Sequence, residues 1–99
     1  MSYRSKFGSD DIELLFDAIL KLKDKEECYR FFEDLCTIKE IQDMGQRMRV
    51  VKMLDAGVPY QAISLQTHAS TATISRVNKS LHYGADGYRM VLEKLKDKQ

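Results

Sequence analysis

The sequence predicts an all-α protein of six helices, with a helix-turn-helix at about residues 60–82. Three observations indicate this fold class: apolar residues recur at helical spacing, no stretch alternates like a half-buried strand, and the 99 residues include only one proline and five glycines. A chain of this length commonly forms one domain, and we expect residues 1–99 to be a single domain.

The first third of the chain predicts two helices. Asp10 followed by Glu13 fits a capped helix start, and an apolar stripe with helical spacing follows. Its members are Ile12, Leu15, Phe16, Ile19 and Leu22. Leu14 and Leu20 lie off this stripe, so the helix carries more apolar surface than one neighbour can cover, which indicates burial in an oligomer. The second helix, at about residues 25–36, directs inward Cys28, Phe31, Phe32 and Leu35.

A longer third helix is predicted next. The segment TIKE at residues 37–40 is a capping box, and the segment DAG at residues 55–57 ends the helix. The apolar positions of this helix are Ile38, Ile41, Met44, Met48, Val51 and Leu54. Val58 and Pro59 then interrupt the chain, because proline is tolerated in the first turn of a helix but not inside one.

Three shorter helices complete the chain. The first is expected at about residues 60–67. Ser70 is a favourable N-cap for the next, at about residues 71–82. The buried side of that helix carries Ile74, Val77 and Leu81. The last helix, at about residues 86–96, presents Met90, Val91 and Leu95.

The helices at about residues 60–67 and 71–82 have the pattern of a helix-turn-helix. His68 takes the turn position, where glycine is frequent, and histidine tolerates a positive φ better than most residues. With Ile74 inward and 100° per residue, Ala72 and Arg76 fall on the opposite face. Small side chains there let the start of a recognition helix approach base edges in the major groove.

Double-stranded DNA is therefore the predicted partner, with roles that follow from position. We assign base-edge or water-mediated contacts to Thr71, Ala72 and Ser75, with Thr73 on the flank of the same surface. We assign phosphate contacts to Ser70, Arg76 and Lys79. Gln61 and Ser64 are expected to anchor the first helix of the motif at the DNA backbone.

Charge is segregated along the chain, although the net charge is only +1. Residues 9–43 hold eleven Asp/Glu against five Lys/Arg, a balance of −6, whereas residues 44–99 hold nine Lys/Arg against four Asp/Glu, a balance of +5. No acidic residue lies between Asp55 and Asp86. This pattern favours a surface that approaches phosphates, although a merely neutral helical hairpin would also fit.

Several function classes lack their usual motifs. The sequence has no P-loop, no glycine-rich nucleotide loop and no nucleophile paired with a base, so we expect neither an enzyme nor a bound cofactor. His68 and His82 have no companion ligands, so no metal site is expected. Cys28 and Cys36 fit reduced thiols, and no apolar run is long enough for a signal peptide or a membrane span. We therefore expect a cytoplasmic protein that does not enter membranes.

Two runs, "LCTIKEIQDMGQRMRVVKMLDAGVPYQAIS" and "ASTATISRVNKSL", resemble the tryptophan-repressor superfamily. The most specific part is "GQRMRVVKML" followed at the right separation by "ATISR", and the whole chain resembles the short TrpR-like branch of YerC/YecD type. The resemblance implies an intertwined, all-helical homodimer of bacterial origin that regulates transcription by binding an operator through two helix-turn-helices.

The resemblance also implies a ligand pocket, because the repressors bind tryptophan between two arginines. The matching positions here are Thr37, Arg47, Thr73, Arg76 and Ser80. Val77 stands where the repressor has glycine against the ligand, and its added methyl groups would narrow the pocket. Two alternatives to a constitutive regulator thus stay open: a repressor gated by tryptophan or a related acid, and a protein-interaction module that keeps the fold without reading DNA.

Overall fold

The computed structural model describes residues 3–96, which contain six helices and no strand. The helices are α1 (Asp10–Ile19), α2 (Lys25–Leu35), α3 (Ile38–Asp55), α4 (Tyr60–Thr67), α5 (Thr71–Tyr83) and α6 (Gly87–Lys96). The all-α prediction is confirmed, and no helix end differs from its predicted place by more than a few residues. Within residues 3–96 no helix has the length and apolar character to cross a membrane.

The first two helices begin at side-chain caps. Ser9, and not Asp10, is the N-cap of α1, because its Oγ accepts a hydrogen bond from the Ile12 N–H at 3.2 Å. Asp24 caps α2 in the same way, with its carboxylate accepting from the Glu27 N–H at 2.9 Å. The α1 helix ends at Ile19, so Leu22 lies beyond it and does not extend the helical stripe.

The described residues up to Thr37 form one compact unit, which contains α1 and α2. Neither helix has a fully buried residue. Phe31 and Phe32 are half-buried as predicted and pack edge to face, with ring centroids 5.5 Å apart. The inward placement of Cys28 and Leu35 was wrong: both are exposed, because α2 packs extensively on no other helix of the described residues.

The described residues from Ile38 to Lys96 form the second unit, which holds the hydrophobic core. The predicted inward residues Val51, Ile74, Val77 and Leu81 are buried. Periodicity did not identify every buried residue of this unit. The buried core consists of Val50, Val51, Ile63, Ala69, Ile74, Val77, Leu81 and Leu92. The α5 helix packs on both α3 and α4, so the helix-turn-helix is built directly onto the second half of α3.

Two apolar stripes differ from the prediction. In α3, Ile38 is 72% exposed and Met44 is 36% exposed, because the other helices of this unit pack on the later turns of α3. In α6, Leu92 is the buried residue, whereas the predicted Met90, Val91 and Leu95 are exposed. Tyr88 packs against the same core as Leu92, four residues later, so this pair defines the inward face of α6.

Candidate nucleic-acid interface

A sharp turn at His68 joins α4 to α5. His68 has φ 64° and ψ 14°, the left-handed conformation predicted for this position. Its N–H donates to the Ser64 carbonyl at 2.9 Å and so closes the last turn of α4. The chain therefore changes direction over the three residues between α4 and α5, as a helix-turn-helix requires.

Side-chain hydrogen bonds hold this turn from within. The Ser64 hydroxyl donates to the Ala69 carbonyl at 2.9 Å. The Thr67 hydroxyl donates to the Ile63 carbonyl at 2.7 Å and accepts from the Ala69 N–H at 3.1 Å. Thr67 is only 7% exposed and Ala69 only 2% exposed, so water could not readily replace these partners. These small polar residues therefore fix the angle between α4 and α5.

The first turn of α5 is capped by Ser70, as predicted. The Ser70 Oγ accepts from the Thr73 N–H at 3.1 Å and donates to the Thr73 Oγ1 at 3.1 Å. Thr73 is half-buried, whereas Ser70 and Thr71 are exposed. The predicted phosphate contact of Ser70 would therefore come from a hydroxyl that is already part of a cap.

The outer face of α5 carries the predicted DNA-contacting residues. Thr71, Ala72, Ser75, Arg76 and Lys79 are all exposed, and Gln61 is exposed on α4. The opposite face carries the buried Ile74, Val77 and Leu81. Ser64 is only half-buried, but its hydroxyl proton is committed to the Ala69 carbonyl. The structure thus brings the α5 residues together on one accessible surface and turns Ser64 towards the inside of the motif.

The charges around this surface are arranged to leave its cations available. In the described part of the chain no carboxylate lies within 4.0 Å of Arg76 or Lys79. The acidic residue that precedes the motif, Asp55, lies 4.0 Å from Arg89 and 3.6 Å from Lys96. Both of these cations belong to α6, so α6 partly neutralises the acidic residue that ends α3.

Gln46 is a further residue of the site that the sequence did not indicate. Its side-chain amide on α3 donates to the Thr67 carbonyl at 3.1 Å, across 21 positions of sequence. Helical periodicity places Gln46 at the edge of the buried face of α3. Polar residues are common at such an edge, so spacing alone does not mark Gln46 as part of the site. The hydrogen-bond partner of Gln46 can be identified only once the position of the C-terminal end of α4 is known.

The predicted ligand-pocket residues lie on several elements of the structure. Arg47, Arg76 and Ser80 are exposed, on α3 and α5, and Thr37 belongs to the first unit. An open apolar groove of about 440 Å³ contains only Ser80 from this set. It is lined by Met48, Ser80, Gly84, Ala85, Gly87, Tyr88, Met90 and Val91. Val77 is 2% exposed and belongs to the core, so its methyl groups fill space that a glycine would leave open.

Comparison with known proteins decides the family. The sequence matches the family described as Trp repressor protein over residues 10–96. The chain belongs to the Trp repressor family. The match begins at the first residue of α1 and ends at the last residue of α6, so it includes every helix of the structure.

Similarity to individual proteins agrees with this assignment. The uncharacterized protein YerC of Bacillus subtilis (strain 168) is 53% identical over 92 residues, which are 93% of this chain and 88% of YerC. The crystal structure of a TrpR-like protein from Eubacterium eligens matches with a TM-score of 0.87 and 56% identity, over 89% of this chain and 91% of that one. The crystal structure described as that of a putative Trp repressor from Staphylococcus aureus also matches with a TM-score of 0.87. Its sequence is 49% identical, and the match covers 90% of this chain and 89% of that one.

The family assignment confirms the predicted TrpR-like, YerC-type resemblance and the predicted repressor-like fold. Trp repressors are regulatory proteins, so membership favours a regulator over an enzyme. Among residues 3–96, no three His, Cys, Asp or Glu side chains come together as a metal site would require.

Proposed function

We propose that this chain is a sequence-specific, DNA-binding regulator of transcription that acts as a homodimer and inserts α5 into the major groove. The observation that carries the proposal is the outer face of α5, which is accessible, lacks acidic residues and is rich in small side chains. A bulky or acidic face would keep a helix away from base edges and phosphates. DNA as the partner would also place the protein in the bacterial cytoplasm.

Residue roles in this proposal follow the geometry of α5. Thr71, Ala72 and Ser75 lie on the accessible side of its first turns, where they would meet base edges directly or through water. Arg76 and Lys79 lie one and two turns after Ala72, where unpaired cations would meet phosphates. Gln61 on α4 would add a contact to the DNA backbone. Ser64 would contribute mainly by holding the turn.

The homodimer is supported by apolar side chains that the isolated chain leaves in water. Leu14 is 69% exposed, Phe16 is 54% exposed and Leu20 is 81% exposed, all at or next to α1. Large apolar side chains that are exposed on more than one side of a helix are typical of an interface between subunits. Sedimentation equilibrium at micromolar concentration should give a dimer, and a stable monomer would overturn this part of the proposal.

A substitution at Ala72 tests the proposed interface. Selection from a random pool of duplexes should first enrich a two-fold symmetric site. Ala72→Glu should then weaken binding to that site by at least about 100-fold, because like charges placed in contact cost several kcal/mol. Ala72→Gln, of similar size but neutral, should lose less. Circular dichroism should show the wild-type fold in both variants, since Ala72 is exposed. If Ala72→Glu binds the selected duplex with unchanged affinity, the start of α5 does not contact DNA and the proposed interface is wrong.

A ligand-gated repressor is a second candidate function. It is favoured by Arg47 and Arg76, whose guanidinium groups are exposed on packed helices and have no carboxylate within 4.0 Å in the described residues. One arginine could bind a carboxylate in a fork and the other could stack on an aromatic ring. Calorimetry with tryptophan and related acids should show heat if this candidate is right. Absence of both heat and thermal shift would remove it.

A third reading, a protein-interaction module, makes the opposite prediction for DNA. Such a protein would keep its fold but would bind no duplex even at low salt, where phosphate contacts are strongest. The duplex selection described above therefore also tests this alternative.

A further inference from the structure

One hydrogen bond ties the turn of the helix-turn-helix to α3. The Gln46 Nε2 donates to the Thr67 carbonyl oxygen at 3.1 Å. Thr67 is the last residue of α4, and the last four carbonyls of a helix have no partner within the helix. Because Thr67 is only 7% exposed, water has little access to this carbonyl. Gln46, itself half-buried, supplies the partner that the helix cannot.

This bond differs from the others at the turn because its donor lies outside the motif. Ser64 and Thr67 bond to residues within the motif, so they set the angle between α4 and α5. They cannot set the orientation of both helices relative to α3. The packing of Ile63 and Ile74 against the valines of α3 holds the motif in place, but apolar packing is non-directional. A hydrogen bond has a preferred direction and length.

We propose that Gln46 is a positioning residue that fixes the orientation of the helix-turn-helix on α3 and thereby sharpens discrimination between DNA sequences. This inference rests on the proposed DNA binding. A motif that rocks on its scaffold presents the correct orientation for only part of the time, and specific affinity falls by that fraction. Binding to random DNA depends mainly on charge and tolerates several orientations, so it does not need the bond.

Three variants test the role of Gln46. Gln46→Met keeps the length of the side chain but removes the donor, and Gln46→Asn keeps the amide but is one methylene too short. The matched control is Gln42→Met, one turn earlier on α3, where the glutamine is exposed and, within residues 3–96, makes no hydrogen bond to another side chain or to the turn. Each protein is titrated with the selected duplex and with a random duplex at one salt concentration. Thermal unfolding is recorded in parallel.

The expected result is a fall in the specificity ratio. Gln46→Met and Gln46→Asn should bind the selected duplex about three- to tenfold more weakly, as the loss of one hydrogen bond predicts, and should bind the random duplex like the wild type. Gln42→Met should match the wild type on both. If Gln46→Met does not fold, Gln46→Asn provides the measurement of the specificity ratio.

The outcomes separate this proposal from the proposed function. If the wild type selects no duplex, DNA binding fails and the role of Gln46 fails with it. If the wild type selects a duplex and both Gln46 variants keep its specificity ratio, only the positioning role is overturned. An equal loss on both duplexes, with lowered thermal stability, also overturns it, because that result describes general destabilisation.

Discussion

Replacing Thr67 with valine exchanges a hydroxyl group for a methyl group at nearly constant shape. The hydroxyl makes two hydrogen bonds in the turn, to the Ile63 carbonyl at 2.7 Å and from the Ala69 N–H at 3.1 Å. After the substitution the Ala69 N–H has lost its acceptor in a place that is only 2% exposed. The Ile63 carbonyl suffers less, because an oxygen with two lone pairs tolerates the loss of one donor.

The size of the effect follows from that unpaired amide. A buried donor without a partner costs about 1–3 kcal/mol, and the added methyl group returns at most about 0.8 kcal/mol through burial. Thr67→Val should therefore lower the free energy of unfolding by about 1–2 kcal/mol. For a domain of this size, that loss corresponds to a decrease of roughly 5–15 °C in Tm.

Thermal and urea unfolding followed by circular dichroism measure this loss. Protein concentrations must be equal, because the stability of an oligomer depends on concentration. The matched control is Thr71→Val, at an exposed position at the start of α5, where we expect a change within about 0.5 kcal/mol. If Thr67→Val is as stable as the control, the hydroxyl does not hold the turn, and the account of the motif given above is wrong.

Two further predictions concern DNA affinity and backbone conformation. Arg76→Ala should weaken binding to all duplexes alike and reduce the slope of log K against log salt by about one unit per bound protomer, and an unchanged slope would mean that Arg76 meets no phosphate. Gly57→Ala should lower the free energy of unfolding by about 1 kcal/mol, because Gly57 has φ 81°, which alanine adopts with strain. The loss should not be larger, since no described atom outside the adjacent residues lies within 4 Å of the added methyl group. Gly57→Asn should cost less in the same unfolding assay, since asparagine tolerates that conformation.

The sequence predicted most of the helix-turn-helix because its local rules agree with its packing. Ser70 caps α5, His68 takes the left-handed turn, and Ile74 is buried, each as its residue type indicates. Prediction failed where packing partners decide the outcome. Periodicity favoured Met90, Val91 and Leu95 on α6, whereas contact with the core makes Leu92 the buried residue.

The candidate site was predicted unevenly for the same reason. Exposure of Ala72 and Arg76 follows from one helix and its inward residue, so it could be read from spacing. Gln46 could not, because its partner lies 21 positions away and the contact depends on where α4 ends. The roles of Ser64 and Thr67 also depend on the geometry of the turn, since either hydroxyl could equally have faced water.

The net charge of +1 is a poor guide to the proposed contacts with DNA phosphates. Charges farther from a phosphate than about 10 Å are largely screened at 0.1 M salt, so only the nearby surface matters. Along the motif that surface lacks acids and offers Arg76 and Lys79 without carboxylate partners within 4.0 Å in residues 3–96. Two such cations per protomer would give weak attraction to random DNA, because non-specific binding is almost entirely electrostatic. Discrimination would then depend on how well α5 fits its site, and therefore on the bonds that fix its orientation.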